Sequence, residues 1–111
     1  MKQDLETKNQ VKQILTVIEE LAPGRSVELR IPPYAAIQCV SGGMHRRGTP
    51  PNVVEMSGQT LIALSKTPDL WDQLCLKGAI SASGTNSNLA DLFVQVSKLI
   101  SHFDEGFVNG K

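Results

Sequence analysis

The strongest constraint on the fold is a run of strands and helices between Arg47 and Phe93 that leaves almost no room for linkers. The run reads as a strand, a helix, a short helix, a second strand and a last helix, at residues 52–56, 58–65, 68–77, 79–83 and from 89 onward. A chain of 111 residues can bury one core but holds little material for a second. We therefore predict one domain over residues 1–111.

Helix-capping residues support these helices. A side-chain oxygen is expected just before a helix, and a residue with left-handed backbone just after it. Pro68 suits a first helical position, because the amide hydrogen that it lacks would have no helical partner there. The predicted caps are Ser57 for the first of these helices, Thr67 and Gly78 for the short one, and Asn86 or Ser87 for the last.

The first half of the chain adds one helix and two strands. Residues 4–22 repeat apolar side chains at helical spacing, at Val11, Ile14, Leu15, Ile18 and Leu21. Val27, Leu29 and Ile31 alternate with charged residues, which predicts a half-buried strand. The apolar run 34–40 predicts a second strand antiparallel to it. Residues 41–51 are predicted to form a loop, and the sequence leaves open a short edge strand near residues 45–47.

These elements predict an α/β domain of the α+β type. A mostly antiparallel sheet of four or five strands would be covered on one face by helices, with Val27, Leu29 and Ile31 facing them. The helical pattern stops after Ile100, so residues 104–111 are expected to form a frayed tail.

The charge balance excludes several classes of partner. Eleven basic and eleven acidic residues leave no basic stripe for nucleic acid and no polybasic segment for anionic membranes. No apolar run approaches the length that spans a bilayer, and the first six residues are polar, so a cytoplasmic protein without stable membrane insertion is expected. Cys39 and Cys75 are expected to be buried thiols, with a disulfide between them left open.

Two segments resemble the sterol-carrier-like superfamily, and in particular its compact bacterial branch. They are LRIPPYAAIQ at residues 29–38 and HRRGTPPNVVE at residues 45–55. The order of elements after Asn52 is similar too: a β-branched strand, a capped helix, a short helix ending at Gly78, a strand, and a Ser83–Gly84 turn into the last helix. Lys66 departs from the family, in which a helix-ending glycine is common. The resemblance implies a small lipid carrier with a hydrophobic tunnel between sheet and helices.

No combination of residues points to catalysis. Glu55 is expected to pair with Arg30 or Arg47, and a catalytic carboxylate would need a partner and a pocket. His45 and His102 have no metal-ligand spacing to each other or to the cysteines, so no metal and no cofactor are expected. Residues 83–88 lack the lysine of a phosphate loop and read as a turn with a cap. We predict that the chain is not an enzyme.

The function that the resemblance implies is non-catalytic binding or carriage of a hydrophobic small molecule, such as a fatty acyl or sterol-like lipid, and we expect a monomer or weak dimer. The alternative is a protein-interaction or enzyme-accessory module with a filled core and no lipid ligand. In the first case Arg46 or Arg47 is expected to meet a headgroup at the tunnel mouth. The expected apolar ligand contacts are Leu61, Leu64, Trp71, Leu89, Leu92, Phe93 and Val96.

Overall fold

The computed structural model describes residues 2–42 and 51–109, with side chains in residues 4–42 and 51–102. In chain order the helices and strands are α1 (Lys2–Leu21), β1 (Val27–Ile31), β2 (Ala35–Cys39), β3 (Asn52–Met56), α2 (Gly58–Lys66), α3 (Trp71–Leu76), β4 (Ile80–Ser83) and α4 (Ala90–Asn109). Among the described residues, one 3₁₀ turn, Pro68–Leu70, connects α2 to α3.

The four strands form one sheet in the order β2-β1-β3-β4. β1 pairs antiparallel with β2 and parallel with β3, and β3 pairs antiparallel with β4. Two of the three pairings are thus antiparallel, which confirms the predicted fold class. The fifth strand considered near residues 45–47 lies outside the described residues.

The alternation in β1 separates the two faces of the sheet as the sequence predicts. Val27, Leu29 and Ile31 are fully buried beneath the helices, and the register places Leu29 beside Ile37 of β2 and Val54 of β3. A half-buried strand of this kind needs a polar opposite face, and β1 has one.

That opposite face carries the expected ion pairs. The Arg30 Nε lies 3.0 Å from the Glu28 Oε2, and the Arg30 Nη1 lies 3.9 Å from the Glu55 Oε1. The pairing of Glu55 with Arg30 is therefore confirmed. These groups are well exposed, so solvent screens the attraction and the pairs stabilise the fold little.

The predicted cap of α2, Ser57, is confirmed, and the predicted cap of the short helix, Thr67, is wrong. The Ser57 Oγ accepts a hydrogen bond from the Thr60 N–H at 3.1 Å. Thr67 makes no side-chain cap bond, and its N–H instead donates to the Ala63 carbonyl at 2.8 Å, which closes α2. Because Pro68 follows directly, the chain passes through the 3₁₀ turn before α3 begins. Gly78 has the predicted left-handed backbone, with φ of +82°.

The cap of α4 is Asn88, which follows both predicted positions, Asn86 and Ser87. The Asn88 Oδ1 accepts from the Ala90 N–H at 2.9 Å. Asn86 and Ser87 are occupied elsewhere, since the Ser87 Oγ donates to the Gly84 carbonyl at 3.0 Å and the Asn86 N–H bonds to Asn52. The backbone of α4 continues to Asn109, past the end of the apolar pattern. The frayed tail stays a prediction, and residues 110–111 lie outside the described residues.

A polar corner, formed by the buried residues Ser26 and Asn52 and the backbone N–H of Asn86, joins three segments of the chain. Asn52 is 2% exposed; its Nδ2 donates to the Ser26 carbonyl at 2.9 Å and to the Ser26 Oγ at 3.2 Å. Its Oδ1 accepts from the Asn86 N–H at 2.9 Å. One amide therefore fixes the starts of β1 and β3 to the connection before α4.

The end of β2 crosses the end of α1 at close range. The Val40 N–H donates to the Ala22 carbonyl at 2.7 Å, and the Val40 carbonyl accepts from the Ser26 N–H at 2.9 Å. Val40 has φ of +66°, which is rare for a β-branched residue, and Gly24 has φ of +151°. A Cβ at Gly24 would overlap the Val40 carbonyl. The crossing therefore depends on a glycine at position 24.

Candidate functional site

The apolar residues predicted to contact a ligand come together, as one packed core. All seven are between 0% and 9% exposed, and they join the buried side chains of the sheet in a single cluster. Trp71 is 4% exposed, and its ring stacks on that of Phe93 with centroids 6.1 Å apart. The protein's own side chains thus fill this core. A role in ligand contact stays a prediction for Leu61, Leu64, Trp71, Leu89, Leu92, Phe93 and Val96.

The predicted headgroup residues cannot be placed in this geometry. Arg46 and Arg47 lie outside the described residues, as does the neighbouring His45. Their contact with a headgroup stays a prediction.

An open space does exist, and it lies among the helices alone. We call it the helical groove: a half-open cleft of about 560 Å³ between α1, α2 and α4. Its apolar lining comes from Ile14, Val17, Ile62 and Ile100, and its polar lining from Gln10, Gln13, Thr16, Ser65 and Lys66. This volume falls within the range of pockets that hold small molecules.

A second, polar space adjoins the helical groove. We call it the polar recess: about 300 Å³ between the start of α1, the β1–β2 turn and the start of α2. Gln10 and Ile62 line both spaces, so the two lie side by side. The remaining lining of the recess is polar, from Asp4, Glu6, Thr7, Tyr34 and Gln59.

Sequence reasoning missed the helical groove, although the signal was present. Val17 and Ile62 each stand beside a fully buried position, Ile18 and Leu61 respectively. An apolar residue next to the core stripe widens the apolar face of a helix beyond what the core needs. Two such widened faces on helices that pack together predict an apolar surface between them.

The chain matches the family model described as "Bacterial SCP ortholog" over residues 3–94. It belongs to this family. The matched residues include all four strands and the first three helices, so the resemblance to the compact bacterial branch is confirmed. No curated protein matches the chain.

The two cysteines of this family member are free thiols with little reactivity. Cys39 lies in β2 at one edge of the sheet, and Cys75 lies in α3, which packs against β4 at the other edge. Burial, with a smaller effect of Glu19, raises the pKa of Cys39 to about 11. Burial and Asp72 also raise the pKa of Cys75. Because the thiolate is the reactive form, neither thiol is activated as a nucleophile at neutral pH.

Two further site types are absent from the described part of the chain. Within residues 2–42 and 51–109, no group of three or more His, Cys, Asp or Glu side chains could hold a metal ion. No helix in those ranges is long and apolar enough to cross a membrane.

Proposed function

We propose that this chain binds the apolar part of a small lipid in the helical groove and carries it without chemical change. The observation that supports this most is the groove itself, which offers four apolar side chains in one half-open cleft. Membership of a bacterial family of sterol-carrier type points to the same class of ligand.

Energetics favour the helical groove over the packed core as the binding place. Opening a 300 Å³ cavity in the core would cost about 7 kcal/mol, against a typical domain stability of about 5–15 kcal/mol. The groove exists without a ligand, so binding there replaces water rather than protein contacts. Each buried methylene contributes about 0.8 kcal/mol, and ten contribute about 8 kcal/mol before the cost of association.

Displacement of a fluorescent fatty acid tests the proposal. Val17→Glu introduces a charge into the half-buried wall of the groove and is expected to lower affinity at least tenfold. Leu76→Glu is the matched control, because Leu76 is 90% exposed on α3 and does not line the groove. Equal loss in both variants, or no loss in Val17→Glu, would rule out the groove as the binding place.

A brominated fatty acid separates the groove from the core. The single tryptophan, Trp71, is stacked on Phe93 inside the core and does not line the helical groove. A bromine that enters between α4 and the sheet would contact Trp71 and quench its fluorescence. Binding without quenching supports the groove, whereas strong quenching supports the face of α4 that carries Leu89, Leu92, Phe93 and Val96.

A second function has one observation in its favour, which is the filled core. A core without space for a ligand suits a protein-interaction or enzyme-accessory module. If folded wild-type protein binds none of the lipid probes, this second function replaces the first.

A further inference from the structure

We propose that the polar recess selects the headgroup of the bound amphiphile, and that it prefers a headgroup that donates hydrogen bonds and carries no negative charge. The inference rests on the proposed binding of an apolar chain in the helical groove. It fixes the direction in which the ligand lies. The end of the ligand's apolar chain points toward Ile100, and its headgroup points toward the start of α1.

The position of the two spaces side by side supports the inference. The Gln10 and Ile62 side chains form the boundary that both spaces share. On one side of this boundary the lining is mainly apolar, and on the other it is mainly polar. A molecule that spans the boundary therefore needs an apolar part joined directly to a polar part, which is the form of a single-chain amphiphile.

The polar recess is rich in hydrogen-bond acceptors. Asp4 and Glu6 carry carboxylates, which only accept when ionised, and the Thr7 and Tyr34 hydroxyls and the Gln59 amide oxygen also accept. A hydroxyl or amine headgroup supplies the matching donors. A carboxylate or phosphate headgroup meets two like charges and finds its donors in the hydroxyls and in the Gln10 and Gln59 amides.

Close packing holds the walls of the polar recess in place. A Cβ at Gly58 would lie 3.0 Å from the Thr7 Cγ2, 3.1 Å from the Tyr34 Cε2 and 3.2 Å from the Val11 Cγ2. The start of α2 therefore sits directly against two side chains of α1 and the ring of Tyr34. The Tyr34 N–H also donates to the Ile31 carbonyl at 2.8 Å, which fixes the turn that carries the ring.

The opposite orientation is a distinct alternative. Lys66 lines the helical groove at the end of α2, and a fatty acid could place its carboxylate there. The two orientations predict opposite headgroup preferences, so the experiment distinguishes them.

The test compares three probes of one chain length, an alkylamine, a monoacylglycerol and a fatty acid, by displacement of a common fluorescent probe. The amine and the monoacylglycerol are expected to bind about two- to fivefold more tightly than the acid, as suits interactions of exposed groups. The double variant Asp4→Asn with Glu6→Gln is expected to remove the preference for the amine over the acid. Tyr34→Phe is expected to weaken the monoacylglycerol alone.

Asp69→Asn with Asp72→Asn is the matched control, because it removes the same charge from α3 and the turn before it, outside both spaces. Equal binding of the three probes overturns the headgroup inference and leaves the proposed groove intact. If the acid binds more tightly than the other probes and Lys66→Gln abolishes this preference, the headgroup inference is also overturned, and the ligand lies in the opposite orientation. If no probe binds, the proposed function itself fails.

Discussion

The sheet–helix core and the helical groove are both built from apolar residues at helical spacing, yet one is closed and the other is half open. In the core, α4 contributes Phe93 and Val96, and both are fully buried. In the groove, α4 contributes Ile100, and this side chain is only half buried where α1 and α2 meet it.

The difference lies in what each apolar face packs against. A sheet presents a continuous surface, so a helix that lies on it fills the interface with interdigitated side chains. Three helices meet along lines instead, and the space between them is filled only if the side chains there are large enough. Ser65 is small for a position that is 2% exposed, and it leaves the floor of the groove open. We therefore expect a ligand-binding site among the helices of this molecule rather than against the sheet.

Truncation in the core is expected to give the largest effect. Phe93→Ala removes a fully buried ring and its stacking on Trp71, and it should lower the free energy of unfolding by about 3–5 kcal/mol. Urea unfolding followed by circular dichroism measures this. A loss below about 1 kcal/mol would show that the core is loose, and the contrast with the groove would fail.

Loss of the polar corner is expected to rank next. Asn52→Ala leaves the Asn86 N–H without its partner and removes one of the two hydrogen bonds to the Ser26 carbonyl, at a cost of about 1–3 kcal/mol. The same unfolding assay applies, and Asn88→Ala is the control, because Asn88 is exposed and bonds only to its own helix start. Equal losses in the two variants would contradict a special role for the corner.

Cys39 reports whether water is kept out of the core. Its pKa is about 11 in the folded state against an ordinary value near 8.5, so between these values the folded chain keeps a proton that the unfolded chain has lost. The contribution of the protonated thiol to stability is thus full below pH 8 and is lost as pH rises through about 11. The stability of Cys39→Ala should fall less steeply than that of wild type between pH 8 and pH 11. Identical slopes would show that water reaches this edge of the core.

The smallest effect is expected in the groove. Ile62 is only half buried, so Ile62→Ala should cost about 1 kcal/mol or less in unfolding free energy while it weakens lipid binding. Thermal melts and probe displacement on the same sample separate the two effects. A stability loss as large as that of Phe93→Ala would mean that the groove is part of the core.

Much of the fold follows from local patterns in the sequence. The alternation at Val27, Leu29 and Ile31 identifies the buried face, and Ser57 marks the start of α2, because each depends only on neighbouring residues. The caps at Thr67 and Asn86 were wrong for different reasons. At Thr67 the reason is local, because its N–H closes α2 and Pro68 follows directly. At Asn86 it is tertiary, because the bond to Asn52, which is 34 residues away, fixes the chain there and α4 begins later. The groove was missed because periodicity shows which way a side chain points and does not show how closely three helices approach.

The crossing of Gly24 and Val40 also bears on how relatives of this chain can be compared. Any side chain at position 24 would meet the carbonyl of Val40, so a homologue that lacks this glycine must lead β2 out of the sheet by another route. Val40 itself holds a left-handed backbone at a typical cost of about 1–2 kcal/mol, which its two hydrogen bonds offset. The pair is thus a marker for sequence alignment. Where a homologue has a glycine at position 24, the chain after β2 is expected to leave the sheet in the same direction as here. Where that glycine is absent, the residues after β2 should not be aligned with those of this chain.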